Sequence, residues 1–124
     1  EGRSGPEMAE FRKGSMIQRR LDGLWGFLGL KHIGIYVGDG RVIHFSGTRK
    51  KEKDARIVKS SLAEFARGGR VSCRAAPKND AHAAAVCRRA EEYYSHGSNG
   101  FDGKYSLAFR NCEDFAVRCY EVEY

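Results

Sequence analysis

His32, His44 and Cys112 are the residues whose types can do chemistry together. A cysteine thiol becomes a nucleophile once its proton is taken, and a neutral imidazole is the side chain best suited to take it near neutral pH. The histidines fall in two apolar-rich stretches, residues 32–37 and 41–45, around Gly38-Asp39-Gly40, and these read as a β-hairpin. A three-residue loop pairs Gly34 with His44, Ile35 with Ile43 and Ile33 with Phe45. A two-residue loop would pair Ile35 with His44 and mix the faces. Only the first register collects Ile33, Ile35, Val37, Ile43 and Phe45 on one apolar face, and a slip of one residue would expose all of them. Gly40 is then expected in the left-handed conformation. The other, more polar face carries His32, Gly34, Tyr36, Val42 and His44, with Gly34 leaving space between the imidazoles.

Asn111 can cap a final helix over residues 112–120, which makes Cys112 its first residue. A thiol there would feel the positive end of the helix dipole and unpaired backbone N–H groups, both of which favour thiolate. The same N–H groups could hold an oxyanion. Glu113 and Asp114 act in the opposite sense, since nearby negative charge raises a thiol pKa. A competing reading makes Cys112 a small core residue in a stripe with Phe115, Ala116 and Cys119. Cys73 and Cys87 read as packing residues, and His82 and His96 as surface. A zinc site built on His32, His44 and Cys112 lacks a fourth ligand and any short ligand pair, so no metal and no cofactor is expected. Without a Cys-x-x-Cys spacing or a secretory leader, the four cysteines read as free thiols.

The elements that must position these groups can be read around them. Residues 15–20 suggest a strand, 23–30 a glycine-broken apolar loop, 49–53 a charged loop and 56–58 a short strand. Ser61-Leu62-Ala63-Glu64 is a capping box opening a short helix that stops at Gly68-Gly69. Residues 70–75 read as a strand. Residues 81–94 read as a helix with Ala83, Val86, Cys87, Ala90 and Tyr94 inward. The chain divides into a flexible segment, residues 1–13, and one domain, residues 14–124.

A chain of 124 residues is about one domain in size. With 41% apolar and 31% charged residues it reads as a folded globular domain rather than a disordered segment. The net charge of +6 favours anionic partners such as an anionic membrane surface, but no nucleic-acid motif is present. Trp25, Phe27 and Leu28, with the basic run Arg49, Lys50 and Lys51, are candidates to face lipid or a partner. No hydrophobic leader core and no stretch of about 20 apolar residues occurs. The expectation is a cytoplasmic protein that associates with membranes.

Residues 32–45 (HIGIYVGDGRVIHF) resemble the H-box of the lecithin:retinol acyltransferase-like family, and residues 111–116 (NCEDFA) resemble its NC box. Gly14-Ser15-Met16-Ile17, Leu62-Ala63-Glu64-Phe65 and Tyr105-Ser106-Leu107 extend the similarity over about residues 14–120. Asp114 stands where animal members usually carry His, so the motif is most similar to plant and microbial NC-domain proteins. The resemblance implies an α+β fold, a permuted NlpC/P60 papain-like arrangement with a small antiparallel sheet against about three helices. It implies Cys112 as nucleophile, His32 as general base and His44 as an orienting second histidine, with Asn111 and Tyr36 as weaker candidates for orienting or oxyanion roles. The implied activity is acyl hydrolysis or transfer from phospholipid-type esters through an acyl-cysteine. Two alternatives stand beside it: a catalytically silent domain that binds a protein or membrane, and a thiol peptidase or amidase.

Overall fold

A computed structural model describes residues 11–20, 29, 31–46, 56–96 and 108–124, with side chains in the last stretch from residue 112. Five strands form one sheet: β1 (Met16–Arg20), β2 (Lys31–Gly38), β3 (Arg41–Ser46), β4 (Arg56–Ser61) and β5 (Val71–Ala75). Their order across the sheet is β4-β3-β2-β1-β5, and every neighbouring pair is antiparallel. Among the described residues, three helices pack with it: α1 (Leu62–Ala66), α2 (Asp80–Ser95) and α3 (Ala108–Tyr120). This is the α+β architecture that the resemblance implies, with the cysteine helix last in the chain and β2 central.

The hairpin has the expected register, Gly34 opposite His44 and Ile35 opposite Ile43, but reaches it by another route. The turn is only Asp39-Gly40, with φ +55° and +72°, the positive pair that a tight hairpin turn of matching twist requires. Gly38 pairs with Arg41, and Val37 bulges out before the Tyr36–Val42 pair. That one extra residue on β2 restores the alternation that a bare two-residue loop would have broken.

Both sheet faces are covered. On one, Ile33, Ile35, Ile43 and Phe45 pack with Val86, Ala90 and Tyr93 of α2 and with Cys112, Phe115, Ala116 and Cys119 of α3. On the other, Ile17, Tyr36 and Val42 pack with Leu62, Phe65 and Val71. Burying each large apolar side chain here contributes roughly 1.5–3 kcal/mol. The face expected to be polar is therefore a second core, and His32 and His44 are buried within it. The helix responsible is α1. Its Ser61 hydroxyl accepts the Glu64 N–H at 3.0 Å while the Glu64 carboxylate accepts the Ser61 N–H at 2.8 Å, so the capping box forms as read. Arg67 then turns left-handed (φ +50°), and Gly68 follows at φ +79°.

Several details differ from expectation. Tyr93, not Tyr94, enters the core, and Tyr94 is exposed. Cys73 lies on edge strand β5 and is exposed rather than packed, whereas Cys87 and Cys119 are buried. His82 is buried rather than on the surface. Its Nδ1 accepts the Lys78 N–H at 3.0 Å, its Nε2 bonds the Tyr120 carbonyl at 3.1 Å, and its ring stacks on Tyr124. The Tyr120 hydroxyl donates to the Gly14 carbonyl at 2.6 Å and also lies 3.1 Å from that of Ala75. The C-terminal segment is thereby fastened to the start of α2 and to β1 and β5. The apolar loop over 23–30, Gly29 apart, lies outside the described residues, as do the charged loop over 49–53 and Tyr105-Ser106-Leu107.

Candidate active site

The two histidines meet. His32 on β2 and His44 on β3 sit on one sheet face, with His32 Nε2 2.9 Å from His44 Nδ1. The rings are edge-on, at 88° and 4.9 Å between centroids. The far nitrogen of His44, Nε2, lies 2.9 Å from the Ser60 hydroxyl on β4. Phe65 of α1 forms the floor, stacked on His32 at 5.3 Å and edge-on to His44 at 5.1 Å. The space left by Gly34 is closed by this ring, since a Cβ on Gly34 would lie 3.1 Å from Phe65 Cε1 and 3.0 Å from His44 Cβ. Arg19, paired with His32 across β1 and β2, is also buried. It donates from Nε to the Phe65 carbonyl and lies over the Phe65 ring at 5.8 Å.

Cys112 approaches from α3. Its sulfur accepts the Ile33 N–H at 3.4 Å and lies 3.9 Å from the Lys31 carbonyl. Those two groups flank His32 in the chain, so the thiol lies against the main chain on either side of the histidine. Packing of Phe115, Ala116 and Cys119 on the sheet sets this position. Cys112 is fully buried and belongs to that core as well. The helix begins at Ala108, so Cys112 is a full turn inside it and Asn111 is within the helix rather than its cap. That corrects the expectation of a thiol on the first helical residue, because the dipole's benefit fades beyond the first turn.

The electrostatics follow from burial. Loss of solvent pushes the Cys112 thiol up to about 12, the Ile33 N–H pulls it back, and the Glu113 carboxylate adds to the rise. Glu113 is itself paired with Arg74 at 2.9 Å, which ties α3 to β5. Burial also holds His32 well below its ordinary value, reinforced by His44 and Arg19. His44 is brought down to about 4 by burial and Arg19, with Glu64 opposing. The resting site is a neutral thiol against the main chain around His32, with two neutral imidazoles bonded to each other, the protonation state from which a histidine can act as a base.

Of the other candidates, Tyr36 lies on the histidine face, where its hydroxyl accepts the Gly40 N–H at 3.0 Å and closes the hairpin turn. Trp25, Phe27, Leu28, Arg49, Lys50 and Lys51 lie outside the described residues, as does the side chain of Asn111. The two imidazole nitrogens facing each other at 2.9 Å leave no room for an ion between them. Among the described residues no group of three or more histidine, cysteine or carboxylate side chains could hold a metal. None of the described helices is long and apolar enough to cross a membrane. From the sequence, Ser60, Phe65 and Arg19 carried no role at the site, although Phe65 lies in one of the segments that extend the family similarity. Arg19 had a signal, since a strand paired antiparallel with β2 must set some residue opposite His32, whereas Ser60 and Phe65 depend on packing of β4 and α1 that no local pattern encodes.

No curated protein matches the chain. The family model described as lecithin retinol acyltransferase matches residues 9–123, which include both histidines, the cysteine and every element around them. With the match running over nearly the whole sequence, the chain belongs to the lecithin retinol acyltransferase family.

Proposed function

We propose that this domain is a thiol-dependent acyl hydrolase or acyltransferase acting on phospholipid-type esters through an acyl-cysteine. The observation that carries the reading is the approach of the Cys112 sulfur to the main chain on both sides of His32, whose ring is bonded to His44. With His32 Nε2 committed to His44, the nitrogen left for the thiol is Nδ1, the one nearer the main chain. As sulfur attacks the ester carbonyl, its proton passes to Nδ1, the S–C bond forms and the carbonyl electron pair moves onto oxygen. Collapse breaks the C–O bond, and the departing alcohol oxygen takes the proton from His32. Water, an amine or an alcohol then attacks the thioester, gives its proton to His32 and releases the thiol. His44 accepts the Nε2–H of His32 and stabilises the imidazolium formed in each half-reaction. Asn111 is assigned to the developing oxyanion and Tyr36 to orienting the hairpin. Trp25, Phe27 and Leu28 are assigned to lipid contact, and Arg49, Lys50 and Lys51 to the anionic surface that presents it.

A second reading, a catalytically silent binding domain, is favoured by one feature: Cys112 is wholly buried and its thiol is held at about 12. Release of fatty acid from vesicles of phosphatidylcholine and phosphatidylserine separates the two. The enzyme reading expects release that Cys112→Ala abolishes and that His32→Gln lowers by at least about 100-fold. Vesicle binding without release, equal in wild type and Cys112→Ala, would leave the silent reading standing.

A further inference from the structure

We infer that Ser60 is a positioning residue: its hydroxyl oxygen accepts the Nε2–H of His44 and so fixes the direction in which the histidine pair carries its hydrogens. This rests on the reading of His32 as the base for Cys112. Ser60 pairs with Val42 and His44 with Val58, so Ser60 is the diagonal neighbour of His44 across β3 and β4, with its oxygen 2.9 Å from Nε2. Ser60 Oγ, the His44 ring and the His32 ring form one line of polar groups.

Such a line can run in two directions. If Ser60 donates to His44 Nε2, His44 must donate from Nδ1 to His32 Nε2. Neutral His32 then carries its hydrogen on Nδ1, where it can accept no proton from sulfur. If Ser60 accepts, His44 Nδ1 accepts from His32 Nε2, and His32 Nδ1 is left with a lone pair on the side nearest its own main chain. Only the second direction makes a base.

Two features select it. A neutral imidazole intrinsically favours the Nε2–H tautomer, and this direction gives that tautomer to both rings. Ser60 is half-buried, so its own hydroxyl hydrogen can reach water. The role resembles that of the third member of a catalytic triad, which holds a histidine in the correct tautomer without itself taking the proton.

The test uses the full chain labelled with 15N-histidine, and reads the tautomers near neutral pH from long-range proton–nitrogen correlations without substrate. Both His32 and His44 are expected as Nε2–H in wild type and in Ser60→Thr, whereas Ser60→Ala populates Nδ1–H at His44. Acylation of Cys112 is expected to slow at least about tenfold in Ser60→Ala and to recover in Ser60→Thr. A wild-type His44 with its hydrogen on Nδ1, or tautomers unchanged in Ser60→Ala, overturns the inference. Because the tautomers are read without substrate, a wild type with the expected tautomers and no acylation would overturn the enzymatic reading and leave the hydrogen-bond direction standing.

Discussion

Gly34→Ala puts the packing of the histidine face to a direct test. An added Cβ would lie 2.8 Å from Val42 Cγ1, 3.0 Å from His44 Cβ and 3.1 Å from Phe65 Cε1. None of these neighbours retreats easily, because Val42 and Phe65 are fully buried and His44 is the paired residue across the strand. Overpacking of this kind costs about 1–3 kcal/mol. Replacing a strand glycine also restricts the unfolded chain, which returns about 0.4–1 kcal/mol. The net loss is centred on about 1 kcal/mol, read as a lower urea midpoint at constant slope. The nearest overlap is with a Val42 methyl group, so the substitution should cost at least about 0.5 kcal/mol less in a Val42→Ala background. A Gly34→Ala protein as stable as wild type, or strictly additive effects in the double mutant, would refute this account of why a glycine stands between the histidines.

Iodoacetamide at mildly alkaline pH should label the native chain at Cys73 alone, with Cys87, Cys112 and Cys119 labelled only in denaturant, as peptide mass mapping would show. Stability should depend on pH in the acid range. His44 titrates near 4 when folded and 6.5 when unfolded, so the unfolded chain binds the extra proton between these values. Stability is then complete above about 6.5 and falls toward pH 4, by up to about 3 kcal/mol from His44 alone. Urea midpoints that stay flat across this window would contradict the burial of the pair. On the alkaline side, Cys112 keeps its proton to about 12, so stability should fall as the pH rises above its unfolded value of 9.0. His82→Ala removes the bonds to the Lys78 N–H and the Tyr120 carbonyl. It should cost about 1–3 kcal/mol and speed carboxypeptidase trimming of the C-terminus, and unchanged trimming would rule out the clasp.

The hairpin was legible because alternation over Ile33, Ile35, Ile43 and Phe45 allows only one register to bury them, whatever the turn does. The turn itself was misjudged by one residue, since a two-residue turn plus a bulge at Val37 produces the same faces as a three-residue loop. The capping box at Ser61 was legible because its two hydrogen bonds are local. The start of α3 was not: an asparagine reads as a cap, yet Ala108, Phe109 and Arg110 continue the helix upstream of it. The burial of His32, His44 and His82 was also hidden. Phe65 covers the first two and Tyr120 with Tyr124 the third, and all three covers come from parts of the chain distant in sequence. A histidine among apolar strand residues looks polar-facing until the element packed against it is known.

Intact mass spectrometry tests most directly whether Cys112 is a nucleophile served by His32. The full chain is incubated with a diacyl phospholipid or an activated acyl ester, beside Cys112→Ala. A gain of one acyl chain is expected in wild type and none in Cys112→Ala. No gain in wild type, or the same gain in Cys112→Ala, would contradict the nucleophile role.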